Sequence, residues 1–131
     1  MNQPNNQPSP NKAWTWFIPM GRQVGGWAFI LNRITALGLT LYLFMHLVVL
    51  GQLALGPEAY DNFLKLIHHP VYVFGELLVV AAAIIHGLNG LRIIHTSFGF
   101  HVSRQKQLFY GLMAVALIAI LIFAVRMFFI A

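Results

Sequence analysis

Four ionisable side chains interrupt the long apolar stretches of this sequence: Arg33, His46, Glu76 and His86. An ionisable residue within a hydrocarbon span is costly and is therefore a functional candidate. A neutral imidazole can bind a haem iron, and a guanidinium can hold a carboxylate or a carbonyl oxygen. Glu76 is either a buried hydrogen-bonding partner or a proton-handling group. The pattern indicates a site for a cofactor or an electron carrier inside a membrane.

His86 is surrounded by small residues. Gly87 and Gly90 flank it, and other small or short side chains precede it on the same helical face: Gly75, Val79 and Ala82. Such a face admits a flat macrocycle beside the imidazole. Tight packing against a neighbouring helix uses small residues in the same way. Spacing leaves both interpretations open.

His46 shares a helical face with Thr35, Leu39 and Tyr42. If Arg33 and Arg92 mark one membrane boundary, His86 lies roughly 9 Å and His46 roughly 20 Å inside it. Two histidines at such different depths cannot bind one iron, so they would serve different haems. The alternative for His46 is a hydrogen bond to another helix, with Glu76 at a similar level.

Arg33 forms a polar cluster with Asn32 and Thr35. This cluster could hold a haem propionate or a quinone carbonyl by hydrogen bonding. A long basic side chain at a membrane edge can instead extend to the headgroups as a topology anchor. His95, at the end of the second span, could contact a propionate or face headgroups.

Three apolar segments position these residues, and each exceeds the roughly 20 residues that cross hydrocarbon as a helix. We predict transmembrane helices at about 27–53, 71–95 and 108–128, within one all-α anchor domain, 14–131. Residues 1–13 form a polar tail that is predicted to be disordered. Pro57 and Glu58 predict a short helix that lies on the membrane surface between the first two spans.

Most basic residues lie on one predicted side of the membrane: Lys12, Arg22, Arg33, Arg92, Arg104 and Lys106. The positive-inside rule therefore predicts a cytoplasmic N-terminus and an external C-terminus. These basic residues are scattered singly, which argues against nucleic acid as a partner.

The 131 residues are 59% apolar and 8% charged, as in a membrane protein, and contain no cysteine. Disulfides, cysteine-ligated clusters and thiol catalysis are thereby excluded.

Two segments together resemble a known family. FILNRITALGLTLYLFMH (29–46) and HGLNGLR (86–92) are similar to the first- and second-helix motifs of the cytochrome b membrane subunit of succinate dehydrogenase. The GPEAYDNF loop and Glu76 also fit. The resemblance covers about 27–98 and includes the three-span layout.

This resemblance implies a complex II membrane anchor in the cell inner membrane, working with a flavoprotein, an iron–sulfur subunit and a sister membrane subunit. His86 matches the axial ligand of haem b, and His46 matches the histidine of the branch with two haems. The sister subunit would supply the opposite ligands. Arg33 matches a quinone-site arginine close to the haem propionates, for which Arg92 and His95 are further candidates.

Quinone is expected to contact residues at the start of the first span: Trp27, Phe29, Asn32 and Arg33. The sequence departs from the family pattern here, since Phe29 replaces a common serine and Asn32 a common histidine. Ala36 stands in place of a glycine and Ser97 in place of an aspartate. Two functions remain: a haem-bearing, quinone-reducing subunit, in which electrons come from the iron–sulfur subunit, and a haem-free structural anchor.

Overall fold

The computed structural model describes residue 12 and residues 24–67 and 69–130. Four α-helices follow one another: α1 (Val24–Ala54), α2 (Pro57–Ile67), α3 (Pro70–Ser97) and α4 (Gln105–Val125). A 3-10 turn at Val102–Arg104 precedes α4, and a π-helical turn at Arg126–Ile130 extends it. No strand occurs in the described ranges.

Three helices are long and apolar enough to cross a membrane: Val24–Ala54, Pro70–Ser97 and Val102–Phe129. This confirms the three predicted spans, each of which begins a little earlier than the hydropathy pattern indicated. The predicted side of each terminus is not tested by the fold. The polar tail predicted at 1–13 lies outside the described residues, apart from Lys12.

Local sequence signals set the boundaries of α2 and α3. Gly56 takes a positive φ of 105° before Pro57 and Glu58 open α2, which agrees with the predicted short helix. His69 caps α3, because its Nδ1 accepts a hydrogen bond from the Val71 amide at 3.4 Å. Pro70 suits the first turn, where no intrahelical amide bond is lost. Beyond α3, Gly99 turns the chain with a φ of 85°.

The central helix of the bundle is α3, which packs against α1 on one side and α4 on the other, while α1 and α4 contact each other little. Helices α1 and α3 run antiparallel. Asn89 of α3 meets Ala28 of α1, whereas His86 meets the later residue Asn32.

Burial is confined to one part of the bundle. The buried residues of the described chain are four apolar and three polar: Ala28, Ile30, Thr35, Asn89, Arg92, Phe109 and Ala116. They occupy the start of α1, the end of α3 and the first half of α4, which we call the closed end. No described residue is buried beyond Thr35 in α1 or before Asn89 in α3. We call this remainder the open half.

Most large apolar side chains of the three spans are exposed. Leucine, isoleucine, valine and phenylalanine on such a surface are compatible with lipid tails or with other transmembrane helices. The bundle therefore has a small buried core and a mostly apolar surface, as expected of a membrane protein.

Candidate functional site around His86

His86 lies in the contact between α3 and α1. Its Nδ1 is 3.2 Å from the backbone oxygen of Asn32 and 3.2 Å from the Thr35 hydroxyl. The Thr35 hydroxyl is also 2.8 Å from the Leu31 carbonyl oxygen and 3.1 Å from that of Asn32. A hydroxyl has a single proton to donate. Thr35 gives that proton to its own helix and offers His86 a lone pair.

These contacts determine which nitrogen of the neutral imidazole carries the proton. A carbonyl oxygen only accepts hydrogen bonds, and the Thr35 hydroxyl accepts as well, so Nδ1 must be the donor. Nε2 then carries a lone pair, and no described residue lies within hydrogen-bonding distance of it. Histidines that bind a metal are commonly held in this way, with the other ring nitrogen donating to a carbonyl.

The glycines beside His86 are not packed against another part of this chain. A methyl group added at Gly87 or Gly90, or at Gly75 about 16 Å further along α3, would meet nothing within 4 Å beyond the helix's own backbone. Packing within the chain therefore does not explain these glycines. The space fits a flat group or a helix from another subunit.

A haem fits the donor set of this site. No three His, Cys, Asp or Glu side chains converge among the described residues. Haem iron needs only axial ligands from protein, because the macrocycle supplies the other four nitrogens. One histidine with a fixed tautomer and open space beside it is therefore sufficient on this side of the iron.

Asn89 and Asn32 add buried polar atoms next to His86. Asn89 is fully buried, and its Nδ2 donates to the Ala28 carbonyl oxygen at 3.0 Å. The side-chain oxygens of both asparagines are buried without a hydrogen-bond partner. Neither the role of Asn89 nor the contact between Thr35 and His86 was predicted. The available signal was spacing, since Asn89 follows His86 by three residues, on nearly the same helical face.

The candidate quinone residues are only partly brought together. The Arg33 guanidinium lies 4.4 Å from the centre of the Phe29 ring, and both side chains are exposed. Asn32 faces α3 instead. Trp27 is half-exposed, two residues from Phe29 and thus on nearly the opposite side of α1.

His46 lies in the open half with an exposed side chain. Its ring stacks on Tyr42 at 5.5 Å, and Nδ1 makes a long 3.5 Å contact with the Tyr42 hydroxyl. Within the described ranges no hydrogen bond joins it to Glu76, which is also exposed. His46 is eleven residues beyond Thr35, or about 16 Å along α1. It therefore cannot share an iron with His86.

Arg92 and His95 lie towards α4. The Arg92 guanidinium is 5.4 Å from the centre of the Phe109 ring, and Arg92 is about 120° around α3 from His86. His95 contacts His101, with Nε2 2.9 Å from Nδ1 of that residue. The predicted contact of both residues with haem propionates stays a prediction.

Comparison with known proteins gives consistent matches. The family described as succinate dehydrogenase/fumarate reductase transmembrane subunit matches residues 8–125. The chain is 30% identical, over 84 residues, to the succinate dehydrogenase 2 membrane subunit SdhC of Mycobacterium tuberculosis. That alignment covers 64% of this chain and 62% of the mycobacterial protein, so the chain matches less than two thirds of that relative.

A second relative is named as a succinate dehydrogenase hydrophobic membrane anchor subunit and comes from Halobacterium salinarum. It is 30% identical over 99 residues, which cover 75% of this chain and 72% of the relative.

Proposed function

This chain belongs to the succinate dehydrogenase/fumarate reductase transmembrane subunit family, and we propose that it is a haem b-binding membrane anchor of succinate dehydrogenase. In this proposal it passes electrons from an iron–sulfur subunit to quinone. Its partners are that subunit, a flavoprotein that oxidises succinate, and a sister membrane subunit, in the cell inner membrane. The succinate-oxidising site belongs to another subunit.

One observation carries the haem assignment, the hydrogen bonding of His86. The imidazole donates from Nδ1 to α1 and leaves the Nε2 lone pair without a partner among the described residues. An unused lone pair beside two open glycines, Gly87 and Gly90, is the arrangement an axial ligand needs. The haem would supply a reversible one-electron centre between the iron–sulfur subunit and quinone.

His46 is proposed as the ligand of a second haem. Its side chain is exposed on an apolar surface of α1. Tyr42 is its only polar neighbour in the described part of the chain. A polar ring on such a surface gains stability from a partner outside this chain. The sister subunit would supply the opposite ligand of each haem.

Arg33 is proposed to donate to quinone, with Phe29 beneath its guanidinium. A charge-assisted hydrogen bond to a quinone oxygen strengthens as the ring gains electrons and negative charge. Asn32 and Trp27 stay further candidates, although the fold turns them towards other sides of α1.

The alternative is a haem-free structural anchor, a role that the name of the halobacterial relative would fit. The optical spectrum of the purified complex separates the two functions. We expect the unmodified complex to show low-spin b-type haem, and His86→Ala to lose the signal of one haem. Two haems per complex, falling to one in His46→Ala, would support the second assignment.

His69→Asn is the matched control, because it removes a histidine from the α3 cap, outside the apolar spans, and keeps a capping side chain. We expect it to retain all haem. A haem-to-protein ratio that His86→Ala leaves unchanged would contradict the assignment of His86. A single haem in the unmodified complex would contradict that of His46.

A further inference from the structure

A groove runs between the end of α3, the turn after it and the first half of α4. Its volume is about 400 Å³, and its lining combines Arg92 and His95 with six apolar residues: Leu91, Ile94, Phe98, Phe100, Leu108 and Leu112. Several of these apolar side chains are more than half exposed, among them Phe98 at 75% and Phe100 at 58%. The groove therefore opens on the outer surface of the bundle.

Arg92 is the unusual member of this lining. It is only 9% exposed, and its Nε is buried without a hydrogen-bond partner. Among the described residues, its guanidinium lies against the face of Phe109 and has no anionic partner. A partly buried guanidinium is stabilised by a paired anion, so an acceptor from outside the chain would be favourable here.

No carboxylate side chain of this chain lies close enough to be that acceptor. The three acidic residues are Glu58, Asp61 and Glu76. Glu76 precedes Arg92 by sixteen residues of the same helix, or about 24 Å. Glu58 and Asp61 lie in α2, beyond the opposite end of α3.

Histidines and basic residues surround one end of the groove. His95 and His101 share a hydrogen bond of 2.9 Å between Nε2 and Nδ1, and their rings stack at 5.1 Å. His101 takes a positive φ of 52° in the turn. Arg104 and Lys106 follow on the exposed surface at the start of α4. The groove thus combines an apolar wall with a cationic end near the membrane boundary.

We propose that this groove binds an anionic phospholipid. An acyl chain would lie along the apolar side chains of α3 and α4, and the phosphate would accept hydrogen bonds from Arg92 and His95. A phosphate neutralises the guanidinium, which a neutral carbonyl would not do. Basic pockets between transmembrane helices are suited to such headgroups. Arg92 lies about 120° around α3 from His86, so this site is separate from the proposed haem ligand.

The test measures lipid retained by the protein, purified from membranes together with its bound partners. The protein is equilibrated in detergent with equal amounts of phosphatidylglycerol and phosphatidylcholine, and bound lipid is counted by native mass spectrometry. We expect preferential retention of phosphatidylglycerol. Arg92→Gln removes a charged hydrogen bond and should lower that retention about ten-fold, whereas Arg92→Lys should keep most of it.

Two further variants make the result specific. Leu112→Trp fills the groove from α4 and leaves the charge of Arg92 intact, so it should also displace the lipid. It keeps the test decisive if Arg92→Gln fails to fold. Arg126→Gln removes a basic residue beyond the far end of α4, away from the groove, and should retain lipid like the unmodified protein.

Haem content is measured on the same samples, which separates this proposal from the proposed function. Loss of phosphatidylglycerol with an unchanged haem-to-protein ratio supports the lipid site. Loss of haem in Arg92→Gln with unchanged lipid retention would assign Arg92 to a propionate and overturn it. Equal retention of both lipids, or no effect of Leu112→Trp, would also overturn it.

Discussion

At the scale of single residues, Thr35 and Asn32 control the chemistry of His86 through one proton. The Thr35 hydroxyl oxygen and the Asn32 backbone oxygen each lie 3.2 Å from Nδ1. Both accept from Nδ1, because the Thr35 proton is already donated to the Leu31 carbonyl oxygen. A ligand that donates from its second nitrogen becomes more basic, and this favours the oxidised state of a bound iron. The redox potential of the proposed haem should therefore respond to changes on α1 as well as on α3.

Thr35→Val removes one of the two acceptors and preserves the shape of the side chain. We expect the midpoint potential of the haem bound by His86 to rise by about 20–60 mV, because a hydrogen bond contributes about 0.5–1.5 kcal/mol. A redox titration followed by the haem spectrum measures the shift. Thr35→Ser should restore the original potential.

Thr40→Val is the matched control for that experiment. Thr40 lies on the same helix, and in the described part of the chain its hydroxyl donates only to the Ala36 carbonyl oxygen. The potential should not change in this variant. Equal shifts in the two valine variants would show that the contact with His86 has no part in the effect.

Arg33→Leu should weaken quinone reduction and leave succinate oxidation by a soluble dye intact. Loss of a charge-assisted hydrogen bond costs about 1.5–3 kcal/mol, which corresponds to a fall in kcat/KM for quinone of roughly 10- to 150-fold. Steady-state assays with quinone and with dye measure the two activities. Arg126→Leu removes a basic residue beyond the far end of α4 and should leave both unchanged. Normal quinone kinetics in Arg33→Leu would count against the assignment.

At the scale of helices, Asn89 is the main polar contact between α3 and α1 besides His86. Its amide is fully buried and donates to the Ala28 carbonyl oxygen. Polar contacts between helices in a membrane contribute about 0.6–2 kcal/mol. The contact also fixes which face of α3 is turned towards α1, and with it the position of His86.

Asn89→Leu should lower the stability of the α1–α3 pair by about 0.6–2 kcal/mol, because it replaces the amide by an apolar side chain of similar size. Thermal denaturation of the purified protein, with haem release as a second signal, measures the loss. Asn62→Leu provides the comparison, since Asn62 is exposed on α2. A midpoint for Asn89→Leu no lower than that of the comparison variant would argue against this role.

The helices themselves were predictable from sequence, but their contacts were not. Long uncharged stretches identify a transmembrane helix, and Pro57 with Glu58 marks the start of α2. The three spans are apolar on all sides, however, so periodicity does not show which face packs inward. Thr35 and His86 are 51 residues apart in the chain, and only the packing of α1 on α3 brings them together. The position of Arg92 beside Phe109 depends on α4 in the same way.

At the scale of the whole molecule, charge is distributed unevenly along the bundle. All three acidic residues lie in α2 or in the first half of α3, and the turn before α4 is basic. By the positive-inside rule, the closed end with its basic turn should face the cytoplasm. The orientation predicted from sequence therefore places His86 nearer the cytoplasm and His46 nearer the outside.

The absence of cysteine makes this orientation simple to test. Ser103→Cys in the basic turn and Asn62→Cys in α2 introduce single thiols at exposed positions. A membrane-impermeant maleimide should label Asn62→Cys in right-side-out vesicles and Ser103→Cys in inside-out vesicles. Both should react after detergent solubilisation. The reverse pattern would invert the orientation.

The concentration of buried residues at the closed end has a consequence for how the protein meets its partners. The open half presents apolar side chains with no core between them, so in a bilayer its neighbours are exchangeable acyl chains. The proposed sister helix or macrocycle would then arrive by lateral diffusion and displace lipid rather than water. The equilibrium for association of the open half with its partners should therefore depend more on the length and order of the lipid acyl chains than on ionic strength. The composition of the bilayer would thus influence how the complex assembles.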